Sequence, residues 1–215
     1  SDAVDVDGDG DMDVLSASKN DDKIAWYEND GSESFTAHTI STSADEAFSV
    51  HAADVDADGD MDVLSASMND DKIAWYEKNG RESFTEHVIS TSADGAYTVR
   101  AADVDAEGDM DVLSASAYDD KIAWYENDGS ENFTEHAIST SANYANYVYA
   151  EDVDGDGDMD VLSASYYDDK IAWYEQDGSP VQATFQPQTT AALDTAVDLW
   201  VSDSAAAVAA YGDIN

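Results

Sequence analysis

The chain has 215 residues and a formal net charge of -41, with 49 aspartates and glutamates against 8 lysines and arginines. That imbalance excludes nucleic acid and anionic membrane surfaces as partners and points to cations instead. The absence of cysteine excludes disulfides and thiol redox chemistry, and no apolar run is long enough to span a bilayer. No signal peptide is evident, and a chain that begins at Ser1 rather than Met is expected to have a processed or cropped N-terminus.

From the N-terminus, an acidic loop opening at Asp5 runs into the strand "MDVLSAS", an Asp-Asp turn, the strand "KIAWYEN", an Asp-Gly turn and a further strand. This unit occurs four times at a step of 49 residues without insertion. The tryptophans fall at Trp26, Trp75, Trp124 and Trp173, and the loop-opening aspartates at Asp5, Asp54, Asp103 and Asp152. In the third unit the strands are expected at 97–105, 110–116, 121–127 and 132–139. Segments so short, rich in Val, Ile, Tyr, Trp and Phe and broken by turn residues, do not read as helices.

The expected fold class is all-β, with β-propeller blades of four antiparallel strands across residues 1–179, divided at about 1–43, 44–92, 93–141 and 142–179. The recurring "LSAS" and "IAWYE" strands are the expected blade-to-blade core, with the tryptophans packed between sheets. Four blades are few for a propeller, so the expectations include a larger ring, association with other copies and an open stack.

After Ser179 the repeat breaks. Residues 180–189, with Pro180 and Pro187, read as a last strand or linker. Residues 190–215 turn Ala-rich and read as a short α-helical C-terminal segment, with Thr190 as N-cap, Leu193, Val197 and Trp200 on one face and Gly212 as the stop. The "LW…D…YG…I" run of this tail resembles the start of BspA-like surface-protein modules, which implies a second module of a larger surface protein.

The loop "DVDGDGDMD" places acids at positions 1, 3, 5, 7 and 9 and glycine at 6. Calcium loops of the EF-hand kind use side chains at 1, 3 and 5, a carbonyl at 7 and a further group at 9, with glycine at 6 for the sharp turn. The first loop then offers the side chains of Asp5, Asp7, Asp9 and Asp13 with the carbonyl of Asp11. The second offers Asp54, Asp56, Asp58 and Asp62 with the carbonyl of Asp60, and the fourth Asp152, Asp154, Asp156 and Asp160 with that of Asp158. In the third, Glu107 stands at position 5 beside Asp103, Asp105, Asp109 and Asp111, and its longer arm is expected to weaken or reshape the site. The expected cofactor is structural Ca²⁺, about one ion per repeat.

Position 12 is Ser16, Ser65, Ser114 or Ser163 rather than glutamate, and no helices flank the loops, so these are not EF-hands. The pattern D-x-D-x-D-G-x-x-D followed by a strand resembles the FG-GAP or VCBS repeat family, the blades of integrin-α-like propellers, over residues 1 to about 179. The resemblance implies a calcium-binding extracellular or cell-surface scaffold for adhesion, assembly or ligand binding. The alternative is the non-catalytic module of a larger secreted, polysaccharide-active enzyme. A solvated acidic surface in a salt-adapted protein competes with the metal reading, although solvation demands neither the glycine nor the spacing. Four dications add eight positive charges and still leave -33, so a salty or calcium-rich setting is expected.

In such blades the calcium loops open on one face, and the sequence varies most on the other. Tyr118, Tyr144, Tyr147, Tyr149, Tyr166 and Tyr167 accumulate there and are the candidate contacts for a protein or glycan partner, with drift among duplicated surface loops as the competing reading. Catalysis is not expected: His38, His87 and His136 share one repeat position, His51 is solitary, and acids are too common to mark a pair. Asn132 heads the single glycosylation sequon, a pointer to a secretory route.

Overall fold

A computed structural model describes residues 1–80 and 83–176. The expected last strand or linker at 180–189 and the expected helix at 190–215 lie outside the described residues. Among the described residues, fifteen strands form four antiparallel sheets in sequence order. Blade 1 holds β1 (Asp2–Val4), β2 (Asp13–Ser18), β3 (Lys23–Asn29) and β4 (Phe35–Ser41). Blade 2 holds β5 (Ala47–Ala53), β6 (Asp62–Ser67), β7 (Lys72–Lys78) and β8 (Phe84–Ser90). Blade 3 holds β9 (Ala96–Ala102), β10 (Asp111–Ser116), β11 (Lys121–Asn127) and β12 (Phe133–Ser139). The described part of blade 4 holds β13 (Ala145–Glu151), β14 (Asp160–Ser165) and β15 (Lys170–Tyr174).

The strands alternate side chains between two faces, and both faces of the middle blades are apolar because each is covered by a neighbour. One face of a blade carries Leu, Ile and Trp, and the opposite face carries Val, Ala and Tyr. The Leu/Ile/Trp face of blade 1 (Leu15, Ile24, Trp26) packs on Val50, Val63, Ala74 and Tyr76 of blade 2. Blade 2 repeats the contact on blade 3, where Leu64, Ile73 and Trp75 meet Val99, Val112, Ala123 and Tyr125. Blade 3 repeats it on blade 4, where Leu113, Ile122 and Trp124 meet Val148, Val161, Ala172 and Tyr174.

Polar stitches fix the order of the blades. The second residue of each Asp-Asp turn takes a left-handed backbone, with φ near 54° at Asp22 and Asp71 and 56° at Asp120. The carbonyl oxygens of these three residues accept the amides of Ala44, Ala93 and Ala142, and their carboxylates accept those of Glu46, Gly95 and Tyr144. Each turn therefore captures the connection into the next blade. Lys72 and Lys121 are nearly buried and donate to the carbonyls of Ser43 and Ser92 in the preceding connections, while pairing with Asp70 and Glu86, and with Asp119 and Glu135.

Because the core between blades 2 and 3 is closed on both sides, Leu64→Ala is expected to cost about 2 to 5 kcal/mol in urea unfolding. Leu162→Ala, at the partly exposed equivalent position of blade 4, is expected to cost less than half of that. Equal costs would contradict the serial packing.

Candidate metal centres

The loops between the first and second strands of each blade begin where the carboxylates start to capture backbone amides. At position 1 of the loop, Asp5, Asp54, Asp103 and Asp152 each accept the amide of the position-6 glycine at 2.9–3.1 Å. Those glycines have φ between 93° and 103°, a backbone that side chains rarely tolerate, although a Cβ there would meet nothing within 4 Å. Glycine at position 6 is thus a conformational requirement and not a steric one. At position 3, Asp7, Asp56, Asp105 and Asp154 accept the amide of position 5. At position 5, Asp9, Asp58 and Asp156 accept the amide of position 7, a bond that Glu107 does not make among the described residues.

Position 9 has a different job. Asp13, Asp62, Asp111 and Asp160 are fully buried, and each accepts two amides. One oxygen holds the position-2 amide of its own loop, in Val6, Val55, Val104 or Val153, at 2.9–3.0 Å. The other holds the amide of Asn29, Lys78, Asn127 or Gln176, just past or at the end of the third strand, at 2.8 Å. Desolvation pushes Asp62 and Asp111 up to about 6, against the opposing pull of these amides, and raises Asp160 as well. The indole nitrogen of Trp75 makes no hydrogen bond of good geometry, yet it lies close enough to Asp62 to favour the charged carboxylate.

These loops bring carboxylate oxygens together. One oxygen from each of Asp5, Asp7 and Asp13 lies within 4.8 Å of the others, and so it is for Asp103, Asp105 and Asp111 and for Asp152, Asp154 and Asp160. In the second loop the group is Asp54, Asp56 and Asp58. Asp9, Glu107 and Asp156 lie outside their groups, and so does Asp62. Desolvation, followed by acidic neighbours, raises Asp7, Asp56 and Asp154. The position-7 carboxylates of Asp11 and Asp109 lie against Gly31 and Gly129, in the loop between the third and fourth strands of the same blade. Asp60 pairs with Lys78, and Asp158 donates its amide to Asp156.

The donor set fits a hard dication. Every side chain in the four groups offers a carboxylate oxygen, and Asp54 Oδ1 and Asp103 Oδ1 are buried with no hydrogen-bond partner. An orphaned, buried carboxylate oxygen is costly in water-free surroundings and is satisfied by a cation. In loops 1 and 4 the same oxygen of Asp5 or Asp152 already accepts the amide of Gly8 or Gly155. Ala57 and Ala106 occupy that position in loops 2 and 3, with φ near 60°. In this one hydrogen bond loops 1 and 4 differ from loops 2 and 3.

Sequence reading did not find the role of the histidines. His38, His87 and His136 stack on Trp26, Trp75 and Trp124 with ring centroids 4.5–4.7 Å apart, and bond to Glu28, Glu77 and Glu126 at 2.7–2.8 Å. The recurrence of His opposite Trp at one repeat position was the available signal. His51 pairs with Asp2 of blade 1 at 2.9 Å, and Asp2 falls to about 2 through that hydrogen bond. On the other face, Tyr118, Tyr144, Tyr166 and Tyr167 form one ring cluster, with Tyr144 in contact with the other three. Tyr147 and Tyr149 stand apart on β13, over Leu162 and Ile171. Asn132 is exposed beside the metal loops, and its side-chain amide donates to Asp128.

The family described as FG-GAP-like repeat matches at residues 5–65, 54–114, 106–163 and 152–215, in step with the acidic loops. The chain belongs to this repeat family. No curated protein sequence matches it. Among solved structures, a protein from Lactobacillus plantarum superposes with a TM-score of 0.58 at 12% identity, covering 82% of this chain and 53% of that one. An exo-β-1,3-galactanase from Phanerochaete chrysosporium, solved with β-1,3-galactotriose, gives 0.51 at 11% identity, covering 82% and 47%. These FG-GAP repeats thus share a propeller-like fold with proteins of which they span about half the length.

Without metal, the raised values of Asp62 and Asp111 mean that the folded chain binds protons more tightly than the unfolded chain between pH 3.8 and about 6. This contribution to stability is full below that window and lost above it. The thermal midpoint of chelated protein is therefore expected to rise as pH falls from about 7 to about 5. In a folded Asp62→Asn/Asp111→Asn variant the rise should be smaller, and an unchanged slope would contradict the assignment.

Proposed function

We propose that the chain is a calcium-stabilised scaffold of the extracellular space or cell surface, without turnover of its own. The observation that carries this reading is the orphaned, buried Oδ1 of Asp54 and of Asp103, each inside a group of three converging carboxylates. Calcium takes six to eight oxygen ligands in flexible geometry, whereas magnesium demands a tighter octahedron and keeps its water, so loops of mixed geometry favour calcium. Asp54, Asp56 and Asp58, and in the other loops the residues at positions 1, 3 and 9, would hold the ion. The ion would neutralise charge that the 8 cationic side chains cannot.

Extracellular fluid supplies calcium at the concentrations that modest sites need. No helix among the described residues is long and apolar enough to cross a membrane. The partner surface in this reading is the tyrosine cluster on the face away from the metal loops, where Tyr166 and Tyr167 are each 64% exposed. Clustered, amphipathic rings suit a protein or a glycan. The alternative is a carrier module of a larger secreted, polysaccharide-active enzyme, whose chemistry would reside outside these residues.

Thermal unfolding in matched high-salt buffers tests the reading. Excess calcium over a chelator is expected to raise the midpoint progressively, by about 2.7 kcal/mol of added stability at a hundredfold excess over the dissociation constant for each site. Magnesium and added NaCl should do far less. Equal stabilisation by NaCl would reduce the loops to a salt-adapted surface.

A further inference from the structure

The three internal blade contacts are copies of one interface, and among the described residues one half of it is uncovered at each end of the array. Val63, Val112 and Val161 are 0% exposed on the Val/Ala/Tyr faces of blades 2, 3 and 4, but their equivalent in blade 1, Val14, is 36% exposed. Ile24, Ile73 and Ile122 are likewise 0% exposed on the Leu/Ile/Trp faces of blades 1, 2 and 3, while Ile171 in blade 4 is 39% exposed. Around Ile171, the side chains of Leu162, Ala164, Tyr147 and Tyr149 line an open, almost wholly apolar depression of about 350 Å³. Among the described residues, no core cluster joins blade 4 to blade 1.

We propose that the Leu/Ile/Trp face of blade 4 docks on the Val/Ala/Tyr face of blade 1 of a second copy of this chain. The occupant is specified by continuity with the interface already built three times, since blade 1 offers Val14 and Tyr27 where blades 2 and 3 offer Val63 with Tyr76 and Val112 with Tyr125. Such a contact is heterologous: one copy's last blade meets the other's first, and two copies joined at both ends close a ring. Two chains of four blades supply eight, at the upper end of common propeller sizes. The inference rests on packing and is independent of the calcium reading.

Repulsion between chains of charge -41 opposes the contact, so it should strengthen with salt that shortens the screening length. Sedimentation velocity of the full 215-residue chain in calcium and high salt is expected to show a concentration-dependent dimer. Val14→Asp blocks one half of the interface and Ile171→Asp the other, and each alone should weaken association by about tenfold or more. Mixed together, the two variants should restore a 1:1 dimer, because each keeps the half the other lacks. The milder Val14→Ser and Ile171→Ser serve if either aspartate variant loses its native circular dichroism. A wild-type chain that stays monomeric throughout, as it would if residues 177–215 covered the blade 4 face, overturns the proposal. So does a Val14→Asp chain that dimerises on its own, which would indicate a face-to-face contact.

Discussion

Each blade is drawn together at a carboxylate removed from water. Asp62 and its equivalents Asp13, Asp111 and Asp160 join the start of the acidic loop to the chain at the end of the third strand, through two amide hydrogen bonds each. Burying an ionised carboxylate is unfavourable unless it is well satisfied, and two amide bonds leave Asp62 and Asp111 with their protons still held at about pH 6. Around Asp13, Asp111 and Asp160 the acids at positions 1 and 3 compound the problem, because their oxygens converge on the same space. In the proposed calcium-bound state a dication would convert that repulsion into cohesion, and the loop would then fix where the second strand begins.

The same shortage of positive charge shapes the rest of the molecule. Lys72 and Lys121 are spent between blades, tying a connection to the strand beside it. His38, His87 and His136 on the fourth strands are spent on tryptophan faces and on glutamates of the third strands. Little basic surface remains to meet an anion, whereas the face away from the loops carries tyrosines. Acidic loops on one face, tyrosine rings on the other and apolar surfaces at the two ends are three distinct surfaces of the described repeat array.

Much of this was legible because duplication repeats the signal. The strands expected at 121–127 and 110–116 appear at Lys121–Asn127 and Asp111–Ser116. The first strand of blade 3 was read through to residue 105 but ends at Ala102, since alternation of Asp with Val continues past the point where Asp103 begins to capture loop amides. The acidic clusters were legible from spacing, yet spacing could not divide labour within them: position 9 is first a buried clip, and Asp54 and Asp103, whose loops carry Ala rather than Gly at position 4, keep an unsatisfied oxygen. Six tyrosines read as one surface are four in a cluster and two on an uncovered sheet face, because Tyr147 and Tyr149 lie within β13 rather than in its flanking loop. The uncovered faces themselves were invisible, since the same residues are core in one blade and surface in another.

The central claim is that cations, and not solvation alone, hold the acidic loops. Isothermal titration of chelator-stripped protein with CaCl₂ in a high-salt buffer tests it most directly, because diffuse counterion binding is suppressed while coordination survives. The account predicts saturable binding of about one calcium per described loop, with the stoichiometry falling by one in an Asp54→Asn/Asp56→Asn variant. Heat that vanishes in high salt, or a stoichiometry unmoved by that variant, would contradict it.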